Sequence, residues 1–112
     1  MDVLFATRAI EKKLGTDASR RKAFGDETAR AIARRLQQMQ SAPSLEDLRN
    51  MPGRYHELTG DRHCQVSVSV GANLRLVFEC ADEPLPCRQD GGGLDWSGVT
   101  KVRLLEVVDY HG

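Results

Sequence analysis

Two short stretches of this 112-residue chain carry the side chains that could do chemistry. One is Arg54-Tyr55-His56-Glu57-Leu58-Thr59-Gly60-Asp61-Arg62, and the other is Asp109-Tyr110-His111. Imidazole is the side chain that gives and takes protons near neutral pH, and arginine meets phosphate with a planar fork of donors. Two histidines, a tyrosine and several arginines on one small sheet therefore point to acid–base chemistry on a phosphate. Each residue alone has an ordinary explanation. A histidine near a turn is commonly a surface or capping residue, Asp61-Arg62 reads as a turn with a surface ion pair, and Tyr110-His111 reads as a frayed tail.

The elements that must position these residues follow from periodicity. Asp2 to Ala6 is a short apolar start able to add a strand, and Thr7 offers a cap for a helix running through Ala9, Ile10 and Leu14 to Gly15. Asp17 to Phe24 forms a short basic helical piece closed by Gly25, after which Asp26 can cap a longer helix. In that helix Ala29, Ile32, Ala33, Leu36 and Met39 make one apolar stripe, with Arg30 and Arg34 on the outer face. Ser44-x-x-Asp47 resembles a capping box opening a further turn or two through Leu45 and Leu48.

The second half reads as strands. Tyr55 to Leu58 predicts a short strand and Gly60-Asp61 a tight hairpin turn. The next strand alternates, with Cys64, Val66, Val68 and Val70 on a core face and His63, Gln65, Ser67 and Ser69 on a wet face. After the Gly71-Ala72-Asn73 turn, Leu74, Leu76 and Phe78 continue the core face while Arg75 and Val77 take the other. Residues 81–98 hold two prolines, three consecutive glycines and a net charge of −3, which predicts a loop insertion with Trp96 as a pin docking it on the body. The chain returns as a strand from Val99 to Val108, with Val102 and Leu104 on one face and Lys101, Arg103, Leu105 and Val107 on the other. Strict alternation would make Asp109 and His111 project together, opposite Tyr110. Helices followed by strands define an α+β class: two or three N-terminal helices on one face of a twisted antiparallel sheet of four or five strands.

Composition bounds the rest. A chain of this length with 40% hydrophobic residues supports a single domain over 1–112. Lysine plus arginine equal aspartate plus glutamate at 16 each, so the whole chain has no general affinity for nucleic acid or membrane. The balance is uneven along the chain: residues 1–54 hold 11 basic against 7 acidic residues, and residues 55–112 hold 5 against 9. Any nucleic-acid contact thus needs a local basic patch. Cys64, Cys80 and Cys87 form no CxxC pair, and the N-terminus lacks the apolar core of a signal peptide, so a reducing cytoplasm is the expected setting. Free thiols are the expectation for these cysteines, with a zinc site that joins Cys64 and Cys80 to His63 or His56 as the minor alternative.

The blocks His56-Glu57-Leu58-x-Gly60-Asp61-Arg62, Asn73-x-Arg75-Leu76-x-Phe78-Glu79 and Glu106-x-x-Asp109-Tyr110-His111, in that order around an alternating strand, resemble the RelE/HigB-type toxins of bacterial toxin–antitoxin modules, nearest the killer or killer-suppression branch. The resemblance implies a RelE-like fold and a metal-independent, ribosome-dependent mRNA endoribonuclease that needs no cofactor. It assigns a catalytic histidine to His56 and a catalytic acid, tyrosine and histidine to Asp109, Tyr110 and His111, with phosphate binding by Arg75 and secondarily by Arg62 and Arg54. It further implies a helix-turn-helix antitoxin as partner, mRNA on the ribosome as substrate, DNA contact only through the antitoxin complex, and no membrane. The chain departs from the family pattern at Thr59, where relatives carry lysine, and at Leu74, where they carry tryptophan. A non-cleaving binding protein, acting in a repressor complex or on a gyrase-type target, is the alternative.

Overall fold

Thr7 and Thr16 start the first two helices in the same way. Each places its hydroxyl on a backbone N–H three residues on, Ile10 at 3.1 Å and Ser19 at 3.0 Å, and Ser19 returns the bond to Thr16 to complete a capping box. The computed structural model describes residues 1–62, 64–71 and 73–109. In it a strand β1 (Asp2–Phe5) precedes helices α1 (Arg8–Leu14), α2 (Asp17–Phe24) and α3 (Asp26–Ser41). Gly25, at φ +83°, takes the cap position of α3 that the sequence offered to Asp26; Asp26 and Glu27 instead lie in the first turn, where carboxylates favour the helix dipole. The Ser44/Asp47 capping box is present, and it opens a 3-10 turn over Leu45–Leu48.

Four further strands follow, β2 (His56–Glu57), β3 (Gln65–Ser69), β4 (Leu74–Cys80) and β5 (Lys101–Asp109), with the sheet order β1-β5-β4-β3-β2. The β2 to β5 pairings are antiparallel as expected, but β1 joins β5 in parallel and makes the five-stranded sheet mixed. A four-residue strand separated from its partner by the whole helical half carries no local signal of orientation. Val66, Val68, Val70, Leu76, Phe78, Val102 and Leu104 are fully buried against Ile32, Leu36 and Met39 of α3, so the core lies between the helices and one sheet face. Within the α3 stripe Ala33 is only partly buried and Ala31 is buried.

Strict alternation breaks down around the open face of the sheet. A bulge between Val77 and Phe78 shifts the β4–β5 register, so that Leu105 is left over and Val107, opposite Leu76, turns to the core rather than joining Lys101 and Arg103. Cys64 sits just before β3 with φ +69°, yet it packs against the core as the alternation predicts. Ser67, expected in water, is fully buried on the face away from the helices.

Candidate functional site on the open sheet face

The face opposite the helices holds an arginine cluster around β4. Arg75 projects there and is fixed by short bonds: Nε donates to Ser67 Oγ at 2.8 Å, and Nη2 donates to the Arg54 carbonyl at 2.6 Å and the Ser67 carbonyl at 3.2 Å. This explains the buried serine, since a hydroxyl out of water needs a partner and the guanidinium of Arg75 supplies it. Arg54 gives its carbonyl from a left-handed backbone at φ +57°, a conformation that costs a non-glycine residue about 1 kcal/mol or more. The carbonyl of the preceding Gly53, at φ +117°, accepts from Ser69 N at 2.8 Å, and the glycine packs so close to Val68 and Arg35 that a Cβ would overlap both. The strained backbone at Arg54 therefore sits where the chain holds Arg75.

His56 faces the same cluster, because it pairs with Ser67 across β2 and β3. Its Nδ1 lies 3.2 Å from Arg75 Nη2. A guanidinium has donors only, so Nδ1 is the acceptor and the neutral ring carries its proton on Nε2. The arrangement joins a group that exchanges protons to a fixed cation able to meet an anionic oxygen.

Arg62 is engaged differently. From the 3-10 turn Gly60–Arg62 it reaches across β4, donating to Gln65 on β3 at 2.9 Å and to Glu106 on β5 at 2.7 Å. Val77 of β4, which pairs with Glu106 and with Ser67, is fully buried on this face although it points away from the helices. Arg103 is likewise paired with Glu79 at 2.6 Å. The expected hairpin turn at Gly60-Asp61 is thus a 3-10 turn that aims Arg62 over the sheet.

Of the residues expected to act together, the structure joins His56, Arg75 and the Arg54 carbonyl. Asp109 ends β5 opposite Leu74, whose side chain packs on the core, so the register turns Asp109 toward the helix side and away from His56. Tyr110 and His111 lie outside the described residues, as does His63. Among the described residues no cluster of three His, Cys, Asp or Glu side chains is placed to hold a metal ion. Cys80 instead donates to Asp82 at 3.2 Å, and burial pushes its thiol up to about 12, which keeps it protonated.

Sequence reasoning missed Glu57. Its carboxylate accepts from Leu94 N at 3.1 Å and from Trp96 Nε1 at 3.0 Å, tying residues 81–98 back onto β2. Trp96 is buried, as expected of a pin, with the Arg49 guanidinium 4.1 Å above its ring. The docked loop makes one wall of a cleft of about 250 Å³ whose other wall is His56 to Thr59. Nothing local in the sequence marks a carboxylate whose partners lie 37 and 39 residues away. Ser67 was more accessible to reasoning, since counting outward from the Gly71 to Asn73 turn sets it diagonally across from Arg75.

No family model matches the sequence, and no curated protein matches it. Among solved structures, the chain is similar to a YoeB/ParE toxin from Agrobacterium tumefaciens, with a TM-score of 0.60 at 11% identity, over 99% of this chain and 100% of that one. At this identity the likeness is one of fold. The α+β architecture is the fold of that toxin structure, matched from end to end.

Proposed function

We propose that the chain is the toxin of a toxin–antitoxin module and that its open sheet face cleaves mRNA without a metal. The observation that carries this reading is the contact between His56 Nδ1 and Arg75 Nη2, on a fold shared with a YoeB/ParE toxin. Cleavage in this reading begins with attack of a ribose 2′-hydroxyl on the adjacent phosphorus. The 2′-oxygen bond forms, the bond to the 5′-oxygen breaks, one proton leaves the 2′-hydroxyl and one reaches the departing 5′-oxygen. The products are a 2′,3′-cyclic phosphate and a free 5′-hydroxyl. His56 exchanges one of these protons, Arg75 meets the charge on the phosphoryl oxygens, and the closing segment supplies the other proton-transfer group from Tyr110 or His111 rather than from Asp109. Arg54 and Arg62 are the further phosphate contacts.

The ribosome presents the mRNA in this scheme, in the cytoplasm, and a helix-turn-helix antitoxin silences the toxin and alone contacts DNA. The exposed Arg30 and Arg34 on α3 suit a protein partner on the helical side. A second reading, a non-cleaving binding protein, draws on the pairing of Arg62 with Glu106 and of Arg103 with Glu79, which leaves less cationic charge for a nucleic-acid backbone. Induction in cells followed by mapping of RNA 5′ ends decides between them. New 5′ ends and growth arrest that vanish in His56→Ala support cleavage. Growth arrest with an unchanged 5′-end pattern replaces it with the binding reading.

A further inference from the structure

The loop insertion builds something that the phosphate chemistry does not require. Glu46 holds the Arg49 guanidinium with two bonds, 2.6 Å to Nε and 3.1 Å to Nη2, while the Trp96 ring lies 4.1 Å beneath it. A planar cation is thus clamped in one orientation. Its side chain is 48% exposed, and both Arg49 and Trp96 line the cleft that also contains His56. Arg88 lines the same cleft, tethered to Asp90 through one Nη2 bond at 2.5 Å and half exposed. The tight Arg88-to-Gly93 turn holds it there, with Arg88 N bonded to the Gly93 carbonyl at 2.8 Å.

We infer that this cleft is a subsite for one nucleobase of the RNA, stacked on the Arg49 guanidinium and read along its edge by Arg88, with the neighbouring phosphate at His56 and Arg75. This rests on the proposed nuclease activity and gives it a source of sequence preference. Guanidinium planes are stacking platforms for unpaired bases, and a volume of about 250 Å³ has room for one planar ring system. Arg88 offers donors only, so it matches a base with two acceptors on one edge, as guanine has in O6 and N7. The indole below completes a three-layer stack of Trp96, Arg49 and base. Glu57 and Gly93 hold the loop wall in position but do not themselves contact the base.

Trp96 is the sole tryptophan of the chain, so its fluorescence reports occupancy of the layer above it. The probes are trinucleotides with 2′-O-methyl riboses, which lack the attacking hydroxyl, carrying guanine, uracil or no base at the central position. Wild-type protein is expected to bind the guanine probe with quenching, the uracil probe less tightly and the abasic probe at least about tenfold more weakly, the scale of one lost base stack. Arg49→Ala and Arg49→Lys should both lose that tenfold, lysine keeping the charge but not the plane, with circular dichroism establishing that each is folded. Arg88→Ala should erase the preference for guanine over uracil while leaving stacking. Equal binding of abasic and guanine probes, or wild-type affinity in Arg49→Lys, overturns the subsite. Where wild-type protein still cleaves RNA in the same preparation, that result overturns the subsite alone. Absence of both cleavage and trinucleotide binding overturns the nuclease reading with it.

Discussion

Arg75 Nε donates to Ser67 Oγ at 2.8 Å, and Ser67 is fully buried on the sheet face away from the helices. The serine is therefore a positioning residue: it holds the guanidinium whose other end reaches His56. Ser67→Ala removes that partner from a half-buried guanidinium, which costs about 1 kcal/mol in stability. The expected functional result is a drop in RNA cleavage of roughly tenfold, smaller than the 10²–10⁴-fold loss typical of a lost proton-transfer group in His56→Ala. Nitrogen-15 shifts of the His56 ring should move in Ser67→Ala. Unmoved shifts with normal cleavage would mean that Arg75 keeps its place without the serine.

The loop is latched by the smallness of Gly93. A Cβ built there falls 2.0 Å from Glu57 Oε2, and the backbone stands at φ +107°, where side chains are strained. Gly93→Ala is expected to cost about 1–3 kcal/mol and to release the bonds from Leu94 and Trp96 to Glu57. Glu57→Gln should loosen the same latch more gently, because the amide keeps one acceptor oxygen. Both variants should speed proteolysis within residues 81–98 and red-shift the Trp96 emission. Unchanged proteolysis in Gly93→Ala would show that Trp96 packing holds the loop without the carboxylate.

How much of the fold and site is legible in the sequence depends on the range of the interactions. The helix starts at Thr7, Thr16 and Ser44 are caps set within four residues, and they are readable except where Gly25 displaces Asp26. The core faces of β3 and β4 follow from alternation because hairpin partners share one pattern. Alternation fails at the β4–β5 bulge, since one extra residue leaves no mark in composition, and Val107 changes faces as a result. The same shift sets the register that turns Asp109 away from His56. His56 and Arg75 are picked out by their types and by the order of the blocks around them. The residues that hold them, Ser67 and the Arg54 carbonyl, are defined by pairing across strands, and Glu57 by a loop that returns from far along the chain.

Asp82 ties the start of the loop to the start of β5. Burial works against its charged form, but donors from the Thr100 side chain and backbone, the Lys101 backbone and the Cys80 thiol outweigh this and hold its carboxyl at about 2, below the ordinary 3.8. A folded value below the unfolded one means that the stabilisation is complete at pH values above the unfolded value and is lost as pH falls from there through about 2. Melting temperature should therefore decline over that acid range more steeply in the wild type than in Asp82→Asn. The variant should start lower at neutral pH and converge on the wild type in acid. Parallel curves would assign the acid sensitivity to other carboxylates.

Thr59 tests whether the site is limited by its supply of cations. It is exposed on the wall of the cleft beside His56, while Arg49 and Arg88 across the same space are committed to Glu46 and Asp90, and Arg62 to Glu106. A lysine at 59 would add a mobile charge that no neighbouring carboxylate in these pairs already occupies, on the cleft wall that His56 also lines. Thr59→Lys is expected to raise RNA association severalfold at low salt, with the gain shrinking as salt increases, since one added phosphate contact steepens the salt dependence by roughly 0.7 in slope on a single strand. Glu106→Gln offers an independent route to the same end by releasing Arg62, at a stability cost of about 1 kcal/mol or less for a half-exposed pair. If both substitutions leave binding and its salt slope unchanged while His56→Ala still abolishes cleavage, Arg75 alone supplies the phosphate contact. If His56→Ala is also without effect, the open face is a protein-binding surface and the paired arginines are its stabilising frame.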